Sequence, residues 1–228
     1  MDIIYSGILI LTAFLVVYLG WRAVPQLLVS LAPGQIRARF LDAAESDRML
    51  AASPSLQAKL SELRALDFTV LGIMAERVLW RRVLEVAAAC DEKAAFGAVV
   101  LTPTGNAGGV YFYTPLAGGG LVFTRSRSHL PEVEAGNTSV KNVPGAGVDK
   151  LWASHRRRLQ ALRERGQRPL PVADQAARLA AVRAYYASDY AVKVRRQFLR
   201  SGPVINFLLV VGLLLAIIAI YIWRVPVR

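Results

Sequence analysis

Two long uncharged apolar runs sit at opposite ends of this 228-residue chain, and they constrain it more than any other feature. Residues 3–19 read IIYSGILILTAFLVVYL, and residues 204–223 read VINFLLVVGLLLAIIAIYIW. A helix rises about 1.5 Å per residue, so about 17 to 20 residues cover nearly all of a ~30 Å hydrocarbon core. Fourteen of the twenty residues in the second run are Leu, Ile, Val or Phe, each favouring insertion by roughly 0.3 to 0.6 kcal/mol near mid-membrane. Trp21, Tyr221 and Trp223 fall where interfacial aromatics belong. The first run lacks the marks of a cleavable leader: only Met1 and Asp2 precede it, and bulky residues from Tyr18 to Arg22 follow it. The expectation is one transmembrane helix over 1–22 and another over 203–223, with a domain over 34–201 between them.

Flanking cations orient such a chain. Arg22, Arg37 and Arg39 follow the first run, and Lys193, Arg195, Arg196 and Arg200 precede the second, whereas only Arg224 and Arg228 lie beyond it. That bias predicts a cytoplasmic domain with both termini on the far side of a bacterial inner membrane. A single Cys90 excludes an internal disulfide and a multi-cysteine metal site. Its Ala-rich surroundings suit a small buried hydrophobe.

Between the apolar runs the pattern predicts an α+β domain. Helices are expected over about 35–65, broken at Ser53-Pro54-Ser55, then over 148–165 and 174–200. Strand character fills about 68–143: Phe68 to Val78, Leu79 to Cys90, Phe96 to Leu101, Val110 to Thr114 and Leu121 to Thr124, with a weaker strand over Thr138 to Val143. Asp91-Glu92-Lys93 turns the chain after the second of these, and glycine-rich turns over 104–109 and 117–120 separate the third, fourth and fifth. No helical crossover intervenes, so an antiparallel sheet of four to six strands is predicted, with helices on one face. The ends of the domain are Pro33-Gly34 and Ser201-Gly202-Pro203, the latter a joint between a domain helix and the second apolar helix.

Candidate chemistry is sparse. Ser154 and His155 are adjacent on a helix and diverge by about 100°, so they cannot act together on one face. His155 instead belongs to the stripe Leu151, His155, Leu159, Leu162, which predicts a partly buried, hydrogen-bonded histidine. His129 lies in a polar loop with no ligand spacing to any other residue, and zinc or haem has little support. The glycine turns lack the lysine, hydroxyl residue and following helix of a phosphate loop. No cofactor, metal site or catalytic residue is predicted.

Charge is the more informative feature. The chain carries a net charge of +12. Residues 155–200 alone hold twelve Lys or Arg against Glu164, Asp174 and Asp189. Arg195, Arg196 and Arg200 lie close enough to the second run to meet anionic head groups, at about 1 kcal/mol each. Arg156, Arg157, Arg158 and Arg163 are candidates for contact with a protein partner or with lipid. No nucleic-acid motif accompanies the charge. Leu179, Val182, Tyr186, Tyr190, Val194 and Phe198 form an apolar side on the last domain helix, with Tyr185 off it. Gly212 and Ala216 give a small-xxx-small spacing that permits close helix packing.

The expected function is a non-catalytic accessory or scaffolding subunit of an inner-membrane complex, with other membrane subunits as partners. The alternative is a lipid- or ligand-binding module at the cytoplasmic leaflet. A membrane-anchored hydrolase using His155 stands last.

Overall fold

A computed structural model describes residues 3–31, 36–51, 53–78, 81–127, 131–200 and 202–224. Pro33-Gly34, His129, Ser201 and Arg228, invoked above, lie outside the described residues. The chain divides into two compact units, residues 35–192 and the two ends, 1–34 with 193–228.

The 35–192 unit is α+β and is built on one mixed sheet of eight strands in the order β1-β2-β3-β4-β5-β6-β8-β7. The strands are β1 Ile36–Phe40, β2 Thr69–Val78, β3 Arg81–Cys90, β4 Ala95–Leu101, β5 Ala107–Pro115, β6 Leu121–Arg125, β7 Val133–Ala135 and β8 Thr138–Asn142. The helices are α1 Ile3–Leu31, α2 Ala43–Ala51, α3 Pro54–Ala65, α4 Val148–Glu164, α5 Gln175–Ala187, α6 Asp189–Leu199 and α7 Gly202–Arg224.

Two strands exceed the expected number. Ile36–Phe40 is an edge strand paired antiparallel with β2, where a helix from residue 35 was predicted. Its sequence IRARF alternates apolar and charged residues, the period-two signature of a strand. The second addition, β7, forms a hairpin with β8 through Gly136, whose φ of 57° suits glycine. That hairpin lays β8 parallel to β6, with Leu121 opposite Thr138 and Arg125 opposite Asn142. The sheet is therefore mixed rather than wholly antiparallel, because a short strand at the rim stands in for a helical crossover.

Helices also cover both faces of the sheet. On one face α3 and α4 close a dry core. Ser53 caps α3 by accepting from the Leu56 amide at 3.4 Å, Pro54 opens the helix, and Leu56, Leu60 and Leu63 are its buried side. On α4 the buried residues are Val148, Leu151, Trp152, His155, Leu159 and Leu162. Val148, Leu151 and Trp152 share a core with Ile73, Val86, Ala88, Val99 and Phe112 from the sheet, while Leu159 and Leu162 pack with Leu116 and Val122. Phe68, Phe112 and Trp152 pack at centroid separations of 5.1 to 5.4 Å, and Cys90 is buried in the same core.

The opposite face is covered by α5. Asp174 caps it, accepting from the Ala177 amide at 2.7 Å. The predicted continuous helix over 174–200 is two helices. Ser188 takes extended backbone, φ −69° and ψ 152°. Its hydroxyl donates to the Tyr185 carbonyl at 2.6 Å and accepts from the Ala191 amide at 3.2 Å, ending α5 and starting α6 in one residue.

In the other unit, α1 and α7 run through the two apolar segments. Among the described residues one stretch, Gly202–Ile220 with mean hydropathy 2.8, is long and apolar enough to cross a membrane; the apolar stretch Ile10–Trp21 of α1 is shorter. Gly20 is buried against α7, where a Cβ would lie 3.0 Å from the Phe207 ring. Leu11, Phe14, Val17 and Trp21 on α1, and Leu208, Leu209, Leu213 and Leu215 on α7, are exposed.

Candidate functional site

The α5-covered face of the sheet is not dry. Successive strands are in register there, so Glu76 and Val83, Glu85 and Val100, Tyr111 and Arg125, and Tyr113 and Phe123 are opposed pairs that share this face. From above, α5 lowers Arg178, Ala181, Val182, Tyr185 and Tyr186 onto them, leaving a cavity of about 550 Å³. That size is ordinary for small-molecule sites, which are mostly apolar with a few placed polar groups.

An ion pair lies in one wall of the cavity. Arg178 Nη2 donates to Glu85 Oε1 at 2.6 Å, and both side chains are almost fully buried. Tyr111 donates its hydroxyl proton to Glu85 Oε2 and accepts from Arg178 Nη2, closing a three-residue ring. The guanidinium also lies 5.3 Å from the Phe96 ring centroid and 5.7 Å from that of Tyr111, distances at which a cation is attracted to a ring face. Burial works against the Arg178 charge, but Tyr111 and Glu85 more than offset it, and the pKa is raised. Burial raises the Tyr111 hydroxyl well above its ordinary value, so it stays a donor at neutral pH.

Opposite Tyr111, Arg125 is 5% exposed. Its Nε donates to Asn142 Oδ1 at 2.7 Å and its guanidinium lies 5.5 Å from the Phe123 centroid. Burial lowers its pKa. Arg125 Nη2 and Arg178 Nε are both buried without a hydrogen-bond partner.

Aromatic rings line the rest. Tyr185 stands 6.2 Å from Tyr113, 5.9 Å from Phe123 and 5.1 Å from Tyr186. It is therefore part of the packed side of α5, contrary to its expected place off that side. Tyr113 donates to the Ala181 carbonyl at 3.2 Å and Tyr190 to the Pro131 carbonyl at 3.0 Å. Glu76 is half-buried and accepts from the Tyr186 hydroxyl. Burial lifts its pKa to about 7, against the pull of Tyr186 and with a further push from Glu85.

The residues singled out in the sequence lie elsewhere. Arg156, Arg157 and Arg163 are exposed on α4, away from its buried stripe. Arg158 is half-buried and donates to the Ser154 carbonyl at 3.0 Å and hydroxyl at 2.9 Å. Arg196 and Arg200 are exposed and Arg195 is half-buried near the end of α6. Gly212 and Ala216 are exposed on α7, and a Cβ at Gly212 would meet nothing within 4 Å. The close helix approach is at Gly20 instead.

His155 is fully buried in the α4 core. Thr114 gives its hydroxyl proton to the Ala94 carbonyl at 2.8 Å, so at 3.0 Å from His155 Nε2 its oxygen must accept. The ring therefore carries its proton on Nε2, and Nδ1 accepts from Thr124 at 3.1 Å. Burial, with a smaller contribution from Arg158, lowers its pKa to about 3. A neutral ring with both nitrogens bonded inside the core has no route to a substrate.

Among the described residues no group of three or more His, Cys, Asp or Glu is arranged to hold a metal ion. The arrangement on the α5 face can instead bind: it offers unspent guanidinium donors, tyrosine hydroxyls, a carboxyl that titrates near neutrality and flat apolar walls. No protein-family model, curated protein or solved structure matches this chain.

Proposed function

We propose that this chain is a two-pass inner-membrane protein whose 35–192 unit is a binding module for a small molecule. One observation carries the reading: a cavity of about 550 Å³ is lined by two buried guanidiniums, Arg125 and Arg178, each with one nitrogen that has no hydrogen-bond partner within the protein. Buried polar groups are almost always satisfied, and an unsatisfied one costs about 1 to 3 kcal/mol or more when charged. A ligand that supplies acceptors to both removes that cost. The membrane placement draws on the exposed apolar side chains of α1 and α7. The excess of cations on the domain side of the apolar runs supports a cytoplasmic module with both termini outside.

The test compares full-length protein, purified in mild detergent, with Val83→Trp. Val83 lines the cavity and is 41% exposed, so the larger ring can fill the pocket without entering the core. Mass spectrometry of molecules released on denaturation is expected to find one that accompanies the natural protein and not the variant. Identical profiles would count against a binding pocket.

A second reading, an accessory or scaffolding subunit docked on other membrane proteins, is favoured by the exposed Arg156, Arg157 and Arg163 on α4. Changing these and Arg158 to Gln would then leave membrane fractionation intact while releasing a co-purifying subunit at ordinary salt.

A further inference from the structure

The charge of the pocket is unbalanced, and the imbalance identifies what it takes. Each buried arginine needs an anion or a full set of acceptors. Arg178 has Glu85. Arg125 has only the neutral Asn142 amide and the face of Phe123. Among the described residues no carboxylate lies within ion-pairing distance of it. Neither carboxyl that lines the cavity is spare: Glu85 is taken by Arg178 and Tyr111, and Glu76 accepts from Tyr186. A third cation, Arg127, lines the same cavity.

The two incomplete guanidiniums flank one ring. Tyr111 is the direct cross-strand neighbour of Arg125 and lies under Arg178. Both arginines line the same cavity, and each keeps one buried guanidinium nitrogen, Nη2 of Arg125 and Nε of Arg178, without a hydrogen-bond partner. Beside them Tyr111, Phe123 and Tyr185 form an aromatic wall. A wall of rings selects a flat or apolar body, since ring faces stack on one another and exclude water.

Resting on the pocket reading above, we propose that the ligand carries an oxyanion, a carboxylate or phosphate, on a flat apolar body. The Arg125 guanidinium is the principal donor to the oxyanion, that of Arg178 is a second, and the body lies against Tyr111, Phe123 and Tyr185. Guanidinium forks suit carboxylate and phosphate geometry. The same chemistry is available from a soluble aryl acid and from an anionic lipid head group.

The experiment uses full-length protein in phosphatidylcholine nanodiscs and titrates 2-naphthoate and its neutral counterpart 2-naphthamide by calorimetry. Naphthoate is expected to bind at one site at least tenfold tighter than naphthamide. Arg125→Gln should remove that preference while sparing naphthamide. If Arg125→Gln does not fold, Arg125→Lys keeps a cation but loses the fork, and must weaken naphthoate selectively. Adding phosphatidic acid to the discs separates the sources. Competition with naphthoate assigns the oxyanion to lipid, and its absence to a soluble acid; both uphold the proposal. Equal binding of both probes, indifferent to Arg125 and abolished by Val83→Trp, overturns the oxyanion and leaves the pocket standing. Binding of neither probe, or binding indifferent to Val83→Trp, overturns both.

Discussion

The guanidinium of Arg178, in the first turn of α5, lies 2.6 Å from the carboxylate of Glu85 in the middle of β3, with Tyr111 bonded to both. Breaking a buried pair by removing one partner strands a charge and costs about 3 to 5 kcal/mol. Glu85→Leu should destabilise the protein by that order, since it leaves Arg178 buried without its anion. The double variant Glu85→Leu with Arg178→Met should recover most of the loss. Urea unfolding of the four proteins in a double-mutant cycle measures this, and independent additive losses would mean that the pair is not coupled.

Arg125 should behave in the opposite way. A buried arginine with no carboxylate partner is held against its desolvation cost. Arg125→Met should therefore stabilise the unliganded protein by about 1 kcal/mol or more, even after losing the bond to Asn142. A thermal melt in ligand-free detergent reads the sign, and a clear drop would mean that Arg125 has a structural role.

The carboxyl of Glu76 makes stability depend on pH. Its pKa is raised to about 7 in the folded chain, so the native state holds a proton that the unfolded chain has released above about pH 4.5. This contribution is complete below about pH 4.5 and is lost as pH rises through 7, by up to about 3 kcal/mol. Glu76→Gln should flatten the stability profile between pH 5 and 7.5, measured as the difference from the natural protein.

His155 slopes the other way. Its folded pKa is lowered to about 3, so its contribution is present above about 6.5 and lost as pH falls toward 3. His155→Leu strands the Thr124 hydroxyl at about 1 to 3 kcal/mol, whereas Thr114 keeps its bond to the Ala94 carbonyl, and the change should weaken the fold near pH 7 while removing the acid sensitivity. Nitrogen NMR should show the Nε2-protonated tautomer unchanged from pH 8 to 5.

Gly120 marks the junction between β6 and the β7–β8 hairpin. A Cβ there would lie 2.5 Å from the Asn137 carbonyl oxygen, which accepts from the Leu121 amide. Backbone cannot give way as a side chain can, so Gly120→Ala should cost about 1 to 3 kcal/mol by prying the two strands apart. A melting temperature equal to that of the natural protein would contradict the close approach.

The sequence disclosed the parts of this fold that depend on local periodicity. Leu151, His155, Leu159 and Leu162 recur at helical spacing and are part of the buried side of α4, and the strands from β2 to β6 follow from apolar and β-branched runs, the last three of them separated by glycine turns. β1 escaped because IRARF is short and its last apolar residue continues at helical spacing into α2. The pocket was illegible for a different reason. Glu76, Glu85, Tyr111, Arg125 and Arg178 come from five elements and meet only through strand register, which no single segment encodes. A signal did exist: Arg178 precedes Val182 by four residues, placing a cation on the apolar side of α5. Ser188-Asp189 was the other missed cue, a capping pair inside a run read as one helix. Tyr185 falls off the apolar side that a single continuous helix would have, because Tyr190 and Val194 belong to α6 and do not extend the side of α5.

The long separation between Glu85 and Arg178 also sets an order of assembly. The two are 93 positions apart in sequence, so during vectorial synthesis Glu85 emerges well before its counter-ion. The α3 and α4 side of the sheet draws on chain already made by residue 164. The other side waits for α5, and until Arg178 arrives its carboxylates must remain hydrated. The two faces of one sheet thus mature at different times. The later of them holds the cavity, and the same stretch of chain that roofs it leads directly, through α6, into the apolar helix α7.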